Sequence, residues 1–146
     1  MSVRGYRLYK VTIANGEAVG TTIYDCDESG NTLNAQDAIP MGPHATGMVY
    51  VDATDWTDAE LGIKACYIRS TTAADYVAFK NEDGEYDPAG DKPAVIDGIA
   101  TDAKGAYLIP PWWVGAGWVR LHSVNGSTGA DVNQTGDKVL WVLIKS

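Results

Sequence analysis

The chain has 146 residues, of which 45% are hydrophobic and 21% charged, a composition typical of one globular domain over residues 1–146. Its formal net charge of −8 opposes the phosphates of nucleic acids and the surface of anionic membranes, which excludes both as partners. The longest apolar stretch, residues 139–144, is too short to cross a bilayer and no export signal is visible, so we expect a protein made in a cytoplasm and not secreted.

The first half of the chain is predicted to form short strands separated by turns. Asn15-Gly16 is a strong signal for a hairpin turn, and Pro40 and Pro43 favour a long loop over residues 31–47. Asp55 is a suitable cap for one helical turn over residues 55–61. Strands are expected at residues 4–13, 18–25 and 48–52.

The second half continues the same pattern. Strands are expected at residues 62–69, 75–80, 94–99, 105–109, 118–124 and 138–145. Residues 125–137 are polar and Gly-rich, which is typical of an exposed loop. About eight or nine short strands predict an all-β protein, an antiparallel β-sandwich with jelly-roll or another Greek-key order. The last strand is apolar on both faces, so we expect it at the centre of a sheet with both of its faces covered.

Groups for catalysis are sparse. His44 and His122 are the only histidines, and no Cys, Ser or Lys lies in a recognisable nucleophile motif. The acidic clusters fall in or beside turns, where Asp caps the backbone, so a hydrolase ranks last among the hypotheses. We therefore predict no catalytic residues, no cofactor and no enzymatic activity.

One acidic segment resembles the start of a calcium loop. Asp25, Asp27, Ser29, Gly30 and Asn31 match D-x-D-x-S-G-N, which places oxygen ligands at alternating positions. The pattern then fails, because its twelfth position is Gln36 rather than a bidentate Glu. An ordinary turn is therefore favoured and no metal site is predicted, although the calcium alternative stays open.

The two cysteines, Cys26 and Cys66, are too few for a disulfide framework or a structural zinc site. We expect both to be small buried residues. A disulfide between them stays open, since the sequence does not give their separation.

An aromatic cluster is the most unusual stretch of the sequence. Trp112, Trp113 and Trp118 lie within seven residues, after two prolines. Tryptophans on such a platform stack on sugar rings or anchor protein contacts. Adjacent residues of extended chain point to opposite faces, so at least one of the first two is expected to be partly exposed or covered by another chain. Met41 and His44, in the proline-containing loop, are further candidate contacts for a protein or a glycan.

The order of segments from residue 61 to residue 146 resembles a family of small virion proteins of tailed bacteriophages. The resemblance lies in the order and spacing of strands and turns, and the first sixty residues fall outside it. The segments that carry it are Ile68-Arg69-Ser70-Thr71-Thr72, Tyr76-Val77-Ala78-Phe79, Asn81-Glu82-Asp83-Gly84, Tyr107-Leu108-Ile109-Pro110-Pro111, Trp118-Val119-Arg120-Leu121-His122-Ser123, Asp131-Val132-Asn133-Gln134-Thr135 and Val139-Leu140-Trp141-Val142-Leu143-Ile144.

This resemblance implies a non-enzymatic structural protein of the phage particle, with a head decoration or cement protein favoured. The implied partners are the major capsid protein or other virion proteins, together with further copies of the chain, and the implied location is the virion. A connector or tail component is one alternative. A carbohydrate-binding β-sandwich module that uses the tryptophan cluster is the other, and the two functions overlap where a decoration protein touches host glycans.

Overall fold

The computed structural model describes residues 2–3, 5–42, 46–52, 54–86, 94–99, 101–102 and 104–145. Two short 3₁₀ turns, Ala73–Asp75 and Pro111–Trp113, accompany the strands in these residues, and neither is long or apolar enough to span a membrane. The strands are β1 (Ser2–Val3), β2 (Tyr6–Ile13), β3 (Thr22–Cys26), β4 (Thr32–Gln36), β5 (Ile39–Met41), β6 (Thr46–Asp52), β7 (Glu60–Cys66), β8 (Val77–Ala78), β9 (Lys104–Leu108), β10 (Gly117–Val124) and β11 (Lys138–Lys145).

The strands form two antiparallel sheets that pack into a β-sandwich, which confirms the predicted fold class. The larger sheet has seven strands in the order β4-β3-β2-β11-β6-β9, with β1 also paired to β2. The smaller sheet has four strands in the order β5-β10-β7-β8. The described residues thus hold more strands than the eight or nine expected, because several of the strands are very short.

The pairing is that of a jelly roll. Without β1, β3 and β4, eight strands remain, and they pair as nested couples: β2 with β11, β5 with β10, β6 with β9, and β7 with β8. The first strand therefore lies beside the last, the second beside the seventh, and so on to a central hairpin. This nesting, divided between two sheets, distinguishes the jelly roll from other Greek-key sandwiches.

Strands β3 and β4 form a hairpin inserted between the first and second strands of the jelly roll. β3 pairs with β2, and β4 forms one edge of the larger sheet. A register shift between Tyr24 and Cys26 bends this hairpin, as β-bulges do. Its tip, residues 27–31, is closed by the Gly30 N–H bonding to the carbonyl of Asp27 and the Asp27 N–H bonding to that of Asn31, both at 3.0 Å.

The core lies between the sheets and follows the period of two that strands impose. Val11 of β2, Val142 of β11, Val49 of β6 and Leu121 of β10 are all completely buried there. β11 lies between β2 and β6, so the prediction that the last strand is central is confirmed. The expectation that both of its faces are covered is wrong, because Trp141 and Leu143 are only partly buried on the outer face. Trp56 also reaches this core, and its Nε1–H donates to the Ala59 carbonyl at 3.1 Å.

The prediction of a long loop over residues 31–47 is wrong. This segment contains β4, β5 and the start of β6. Pro40 is compatible with β5 because β5 is an edge strand with β10 as its one neighbour in the described sheet.

The helical turn expected at residues 55–61 is also wrong. Asp55 has a φ of 55°, which lies in the left-handed region, and the Trp56 N–H bonds to the carbonyl of Thr101 rather than within a helix. Residues 94–99 form only an isolated bridge between Ile96 and Leu61, and the strand expected at 75–80 is reduced to β8. The 3₁₀ turn Ala73–Asp75 overlaps the start of the second of these segments, so its strand begins only at Val77.

Candidate binding surfaces

The outer face of the smaller sheet is covered by its own loops. Arg120 of β10 points to this face, where its Nε–H donates to the Asp37 carbonyl at 2.9 Å and its guanidinium lies 4.3 Å from the ring centre of Tyr76. The Tyr76 hydroxyl in turn donates to the Ser70 carbonyl at 2.6 Å. Arg120 and Tyr76 are both buried, so this arginine holds loops in place and is not presented to a ligand.

His122, two residues further along β10, belongs to a second polar cluster on the same face. Its Nδ1 lies 2.9 Å from one oxygen of Asp131, whose other oxygen accepts a bond from Lys64 at 3.0 Å. Burial lowers the pKa of His122, because it disfavours the charged imidazolium more strongly than Asp131 favours it. Burial raises the pKa of Asp131, but the hydrogen bonds from His122 and Lys64 outweigh this effect and leave that pKa below its ordinary value.

A histidine oriented by a carboxylate is also the arrangement of a general base. A base would need its second ring nitrogen, here Nε2, to be accessible to a substrate. His122 is only 2% exposed. Its Nε2 faces Gly62, where an added Cβ would lie 3.1 Å from Nε2 and 3.2–3.3 Å from side-chain atoms of Val124 and Val95. A substrate has no room at this edge, and the geometry fits a clamp that attaches the loop after β10 to β7 and β10.

That loop, expected to be exposed, is attached at a further point by Gln134, which is buried. The Gln134 Oε1 accepts from the Thr57 N–H at 2.8 Å, and its Nε2 donates to the Thr57 carbonyl at 3.3 Å and to the Ser123 Oγ at 3.2 Å. Residues 125–137 therefore include buried anchors as well as exposed turns.

The outer face of the larger sheet is different, because its side chains are open to solvent and many are apolar. Cross-strand partners form two rows along this face. One row is Tyr24, Lys10, Trp141, Tyr50 and Ala106, and the other is Leu8, Leu143, Met48 and Leu108. Antiparallel sheets usually present polar side chains on the solvent face, so this composition marks a surface suited to a partner.

Residues of both rows line a groove of about 620 Å³, which we call the sheet groove. Leu8, Tyr50 and Trp141 supply its apolar floor. One wall is the tip of the β3–β4 hairpin, which bends over the sheet until a Cβ placed on Gly30 would lie 3.5 Å from the Trp141 ring. The other wall is the edge strand β9.

A second apolar surface, which we call the edge surface, wraps around β9. It is a shallow groove of about 550 Å³ lined by Met48, Leu108, Pro110, Pro111 and Trp112 among others. Leu108 is 76% exposed and Trp112 is 42% exposed, which are high values for residues of this size. β9 is an edge strand with β6 as its one partner in the described sheet, so this side of the sandwich also presents backbone hydrogen-bonding groups.

The structure separates the five predicted contact residues. Trp112 is exposed, as expected of one member of the tryptophan cluster, and Trp118 is partly buried with Arg69 lying 5.7 Å from its ring centre. Trp113 and Met41 are core residues, which removes both from the contact set as a correction. His44 lies outside the described residues.

The burial of Trp113 has a local cause. Residues Pro111–Trp113 form a 3₁₀ turn and not the extended chain assumed from the sequence. This turn directs the Trp113 ring into the core, where its Nε1–H donates to the Ala94 carbonyl at 3.0 Å. The three tryptophans therefore do not share one platform: Trp112 lies beside β9, whereas Trp118 packs against Cys66 and Tyr76 on the smaller sheet.

The calcium-like segment is the tip of the β3–β4 hairpin, and its carboxylates bond to the backbone. Asp27 Oδ1 accepts from the N–H groups of Ser29 and Asn31, both at 2.9 Å, and Asp25 Oδ1 accepts from the Asn34 N–H at 2.7 Å. The Asn31 N–H bond is the main reason that the pKa of Asp27 is lowered. Within the described ranges, no group of three His, Cys, Asp or Glu side chains is placed to hold a metal ion.

Cys26 and Cys66 are both buried free thiols, in agreement with the prediction of small buried residues. Burial raises the pKa of the Cys26 thiol, which keeps it protonated and poorly nucleophilic. These residues contribute to packing on the outer sides of the two sheets.

Sequence reasoning missed the apolar residues that are most exposed on the larger sheet. The available signal was the strand at residues 138–145, which is apolar on both faces, together with Tyr50 at a position that alternation assigns to solvent.

Comparison of the chain with protein-family models, with curated proteins and with solved structures found no match.

Proposed function

We propose that this protein is a non-enzymatic structural component of a tailed-phage particle, most specifically a decoration or cement protein that binds the assembled head through the edge surface. The observation that carries the proposal is the exposed apolar surface around β9, with Leu108 76% and Trp112 42% exposed. Tryptophan and neighbouring apolar side chains are the usual anchors of protein interfaces.

The position of this surface supports a protein partner. Leu108 lies on an edge strand, so a bound protein can cover the apolar side chains and pair with the backbone of β9 at the same time. Pro110 and Pro111 fix the chain directly after this strand, which reduces the conformational entropy lost when the surface is covered.

Fold and charge agree with such a role without defining it. Jelly rolls recur in viral capsid proteins and in lectins, so the fold is an analogy and the surface chemistry has to decide. The net charge of −8 favours encounter with basic patches on a capsid. Binding to the closed shell in preference to free subunits stabilises the shell by mass action, and many copies on a lattice add their effects.

The first experiment is quantitative mass spectrometry of particles purified from cells that make the protein, scaled to the major capsid protein. A copy number similar to that of the capsid protein is the result expected of a decoration protein. A few copies per particle would move the protein to the connector or tail. Its absence from particles would contradict the proposal.

A second experiment assigns the surface. Purified Leu108→Lys protein is added to particles that lack the protein, and binding is measured by co-sedimentation. The matched control is Leu33→Lys, because Leu33 is also exposed but lies on β4, at the opposite edge of the larger sheet. Loss of binding in the first variant alone is expected, and equal binding of both variants would exclude the edge surface.

A further inference from the structure

We propose that the sheet groove is a binding site for a neutral oligosaccharide chain. This function is separate from the edge surface and from the tryptophan cluster, and it does not depend on the virion proposal. Three features of the groove carry the inference: its aromatic floor, its rim of mixed charge, and the hairpin that forms one wall.

The floor matches the apolar faces of sugar rings. Tyr50 and Trp141 are direct cross-strand partners on β6 and β11, so their rings are neighbours on the outer face. Tyr50 is 41% exposed, and Leu8 extends the apolar floor on β2. The C–H groups of a pyranose pack against such rings while its hydroxyls remain directed to the rim.

The rim carries the hydrogen-bonding groups that hydroxyls require. Asp52 and Lys104 are cross-strand partners at one side of the groove, and Glu28 lies in the hairpin tip at the other. Carboxylates accept bonds from hydroxyls and the ammonium donates to them, which a sugar can satisfy and an aliphatic chain cannot. Because both signs of charge are present and the whole protein is acidic, an uncharged glycan fits better than a polyanion.

The hairpin wall gives the groove a concave shape that a flat sheet face would lack. The β3–β4 hairpin is an insertion in the jelly roll, and the bonds that Asp27 accepts from Ser29 and Asn31 hold its tip rigid. Lys10 helps to fix the floor, since its ammonium lies 5.4 Å from the Trp141 ring centre. Floor and far wall are strands, so the site is largely formed before the ligand arrives.

The open shape of the groove sets the length of the ligand. The aromatic row runs across adjacent strands about 4.8 Å apart, so Tyr50 and Trp141 together contact one or two sugar rings. Neither wall closes over the floor, so we expect an internal segment of a chain to bind as well as its end. Affinity should therefore rise from a monosaccharide to about a trisaccharide, the length that the four strands β2, β11, β6 and β9 span, and then level off.

The test is isothermal titration of the whole protein with neutral hexasaccharides: α- and β-linked glucose, mannose, galactose and N-acetylglucosamine chains. Binding of at least one of them in the micromolar to millimolar range is expected. Tyr50→Ala should weaken it about tenfold or more, since removing one stacked ring usually costs that much. The matched control is Tyr67→Ala, which removes an exposed tyrosine beyond β7 of the smaller sheet and should leave binding unchanged.

Asp52→Asn tests the rim separately, because it keeps the size of the side chain and removes its charge. A weakening smaller than that of Tyr50→Ala is expected, with the fold verified by circular dichroism. No binding of any hexasaccharide at millimolar concentration would overturn the proposal. Equal losses in the Tyr50 and Tyr67 variants would also overturn it. Leu108→Lys should bind sugar normally, so this result and the particle-binding result can fail independently.

Discussion

The outer face of each sheet carries a cation beside an aromatic ring, but the pair is buried on the smaller sheet and open to solvent on the larger sheet. On the smaller sheet, a cation over an aromatic ring, Arg120 on Tyr76, is buried beneath loops and bonded to a carbonyl. On the larger sheet, the corresponding pair of Lys10 and Trp141 lies on the outer face, where Trp141 lines the open sheet groove. The first face stabilises the fold, and the second remains accessible to a ligand.

This difference follows from the connections between strands. The segments before β5, after β7 and after β10 pass over the smaller sheet and supply Asp37, Tyr76 and Asp131 as covers. Over the larger sheet, among the described residues, the β3–β4 hairpin tip reaches the central strands and covers only part of Trp141. Apolar residues on a face that its own chain leaves open are the best indicator of binding in this molecule.

The largest expected effect comes from the two cation–ring pairs. Arg120→Ala should lower the free energy of unfolding by about 2–4 kcal/mol, because it leaves the Asp37 carbonyl unsatisfied and removes the contact with Tyr76. Lys10→Ala on the open face should cost about 0.5–1 kcal/mol. Urea denaturation measures both values, and equal costs would contradict the division between a structural and a functional face.

The second prediction concerns acid. The folded state lowers the pKa of His122 below 6.5, so the unfolded chain takes up this proton first as the pH falls. The free energy of unfolding should therefore decrease on acidification from about pH 7.5 to about pH 5.5. His122→Gln removes this titration and leaves Lys64 in place as a partner of Asp131.

The measurement is the urea midpoint of both proteins at the two pH values. A smaller loss of stability in His122→Gln than in the natural protein is the expected outcome. Parallel losses would assign the acid sensitivity to other groups and remove His122 from the account.

Smaller effects are expected on the open face. Tyr50→Ser and Leu108→Ser should each change the free energy of unfolding by less than about 1 kcal/mol, because solvent already reaches both side chains. Binding of a hydrophobic dye should decrease in both variants. A decrease of several kcal/mol in the free energy of unfolding of either variant would show that these exposed side chains stabilise the fold.

The smallest expected effect is that of calcium. Oxygens of Asp27 already accept hydrogen bonds from Ser29 and Asn31, so an added cation would have to displace them. Calcium chloride and a chelator should give the same thermal unfolding midpoint by calorimetry. A midpoint raised by calcium would restore the calcium-loop interpretation.

The sequence was sufficient for the fold class, and the reasons are specific. The alternating strand at residues 48–52 lies within β6, and Asn15-Gly16 forms a turn in which Gly16 has a positive φ of 81°. That turn does not close a tight hairpin, because the Gly16 and Gly20 N–H groups bond to the carbonyls of Gln134 and Leu121, and β3 begins only at Thr22. The order of strands depends on pairings between distant residues, such as β2 with β11, which no local pattern encodes. Jelly-roll and other Greek-key orders therefore had to remain alternatives.

The candidate surfaces were predicted less well. The exposure of one of Trp112 and Trp113 was predicted, but not which one, because the sequence indicated extended chain where a 3₁₀ turn forms. The Trp113 indole then bonds to the carbonyl of Ala94, a contact that no local pattern encodes. Tyr50 and Trp141 were missed as a pair, since they are ninety-one positions apart and meet only through the register of β6 and β11. The sequence thus identified individual aromatic residues as candidates for a surface, but it did not show which of them come together in the fold.

The nested pairing of strands has a consequence for how the chain is made. β11 follows the other described strands in the sequence, yet it is the strand that joins β2 to β6 at the centre of the larger sheet. The larger sheet therefore stays open until β11 has been synthesised, and pairing between such distant strands implies slow folding. During that interval β2 and β6 present unpaired edges, so yield in a cell should depend on chaperones and on low temperature more than on the stability of the finished protein.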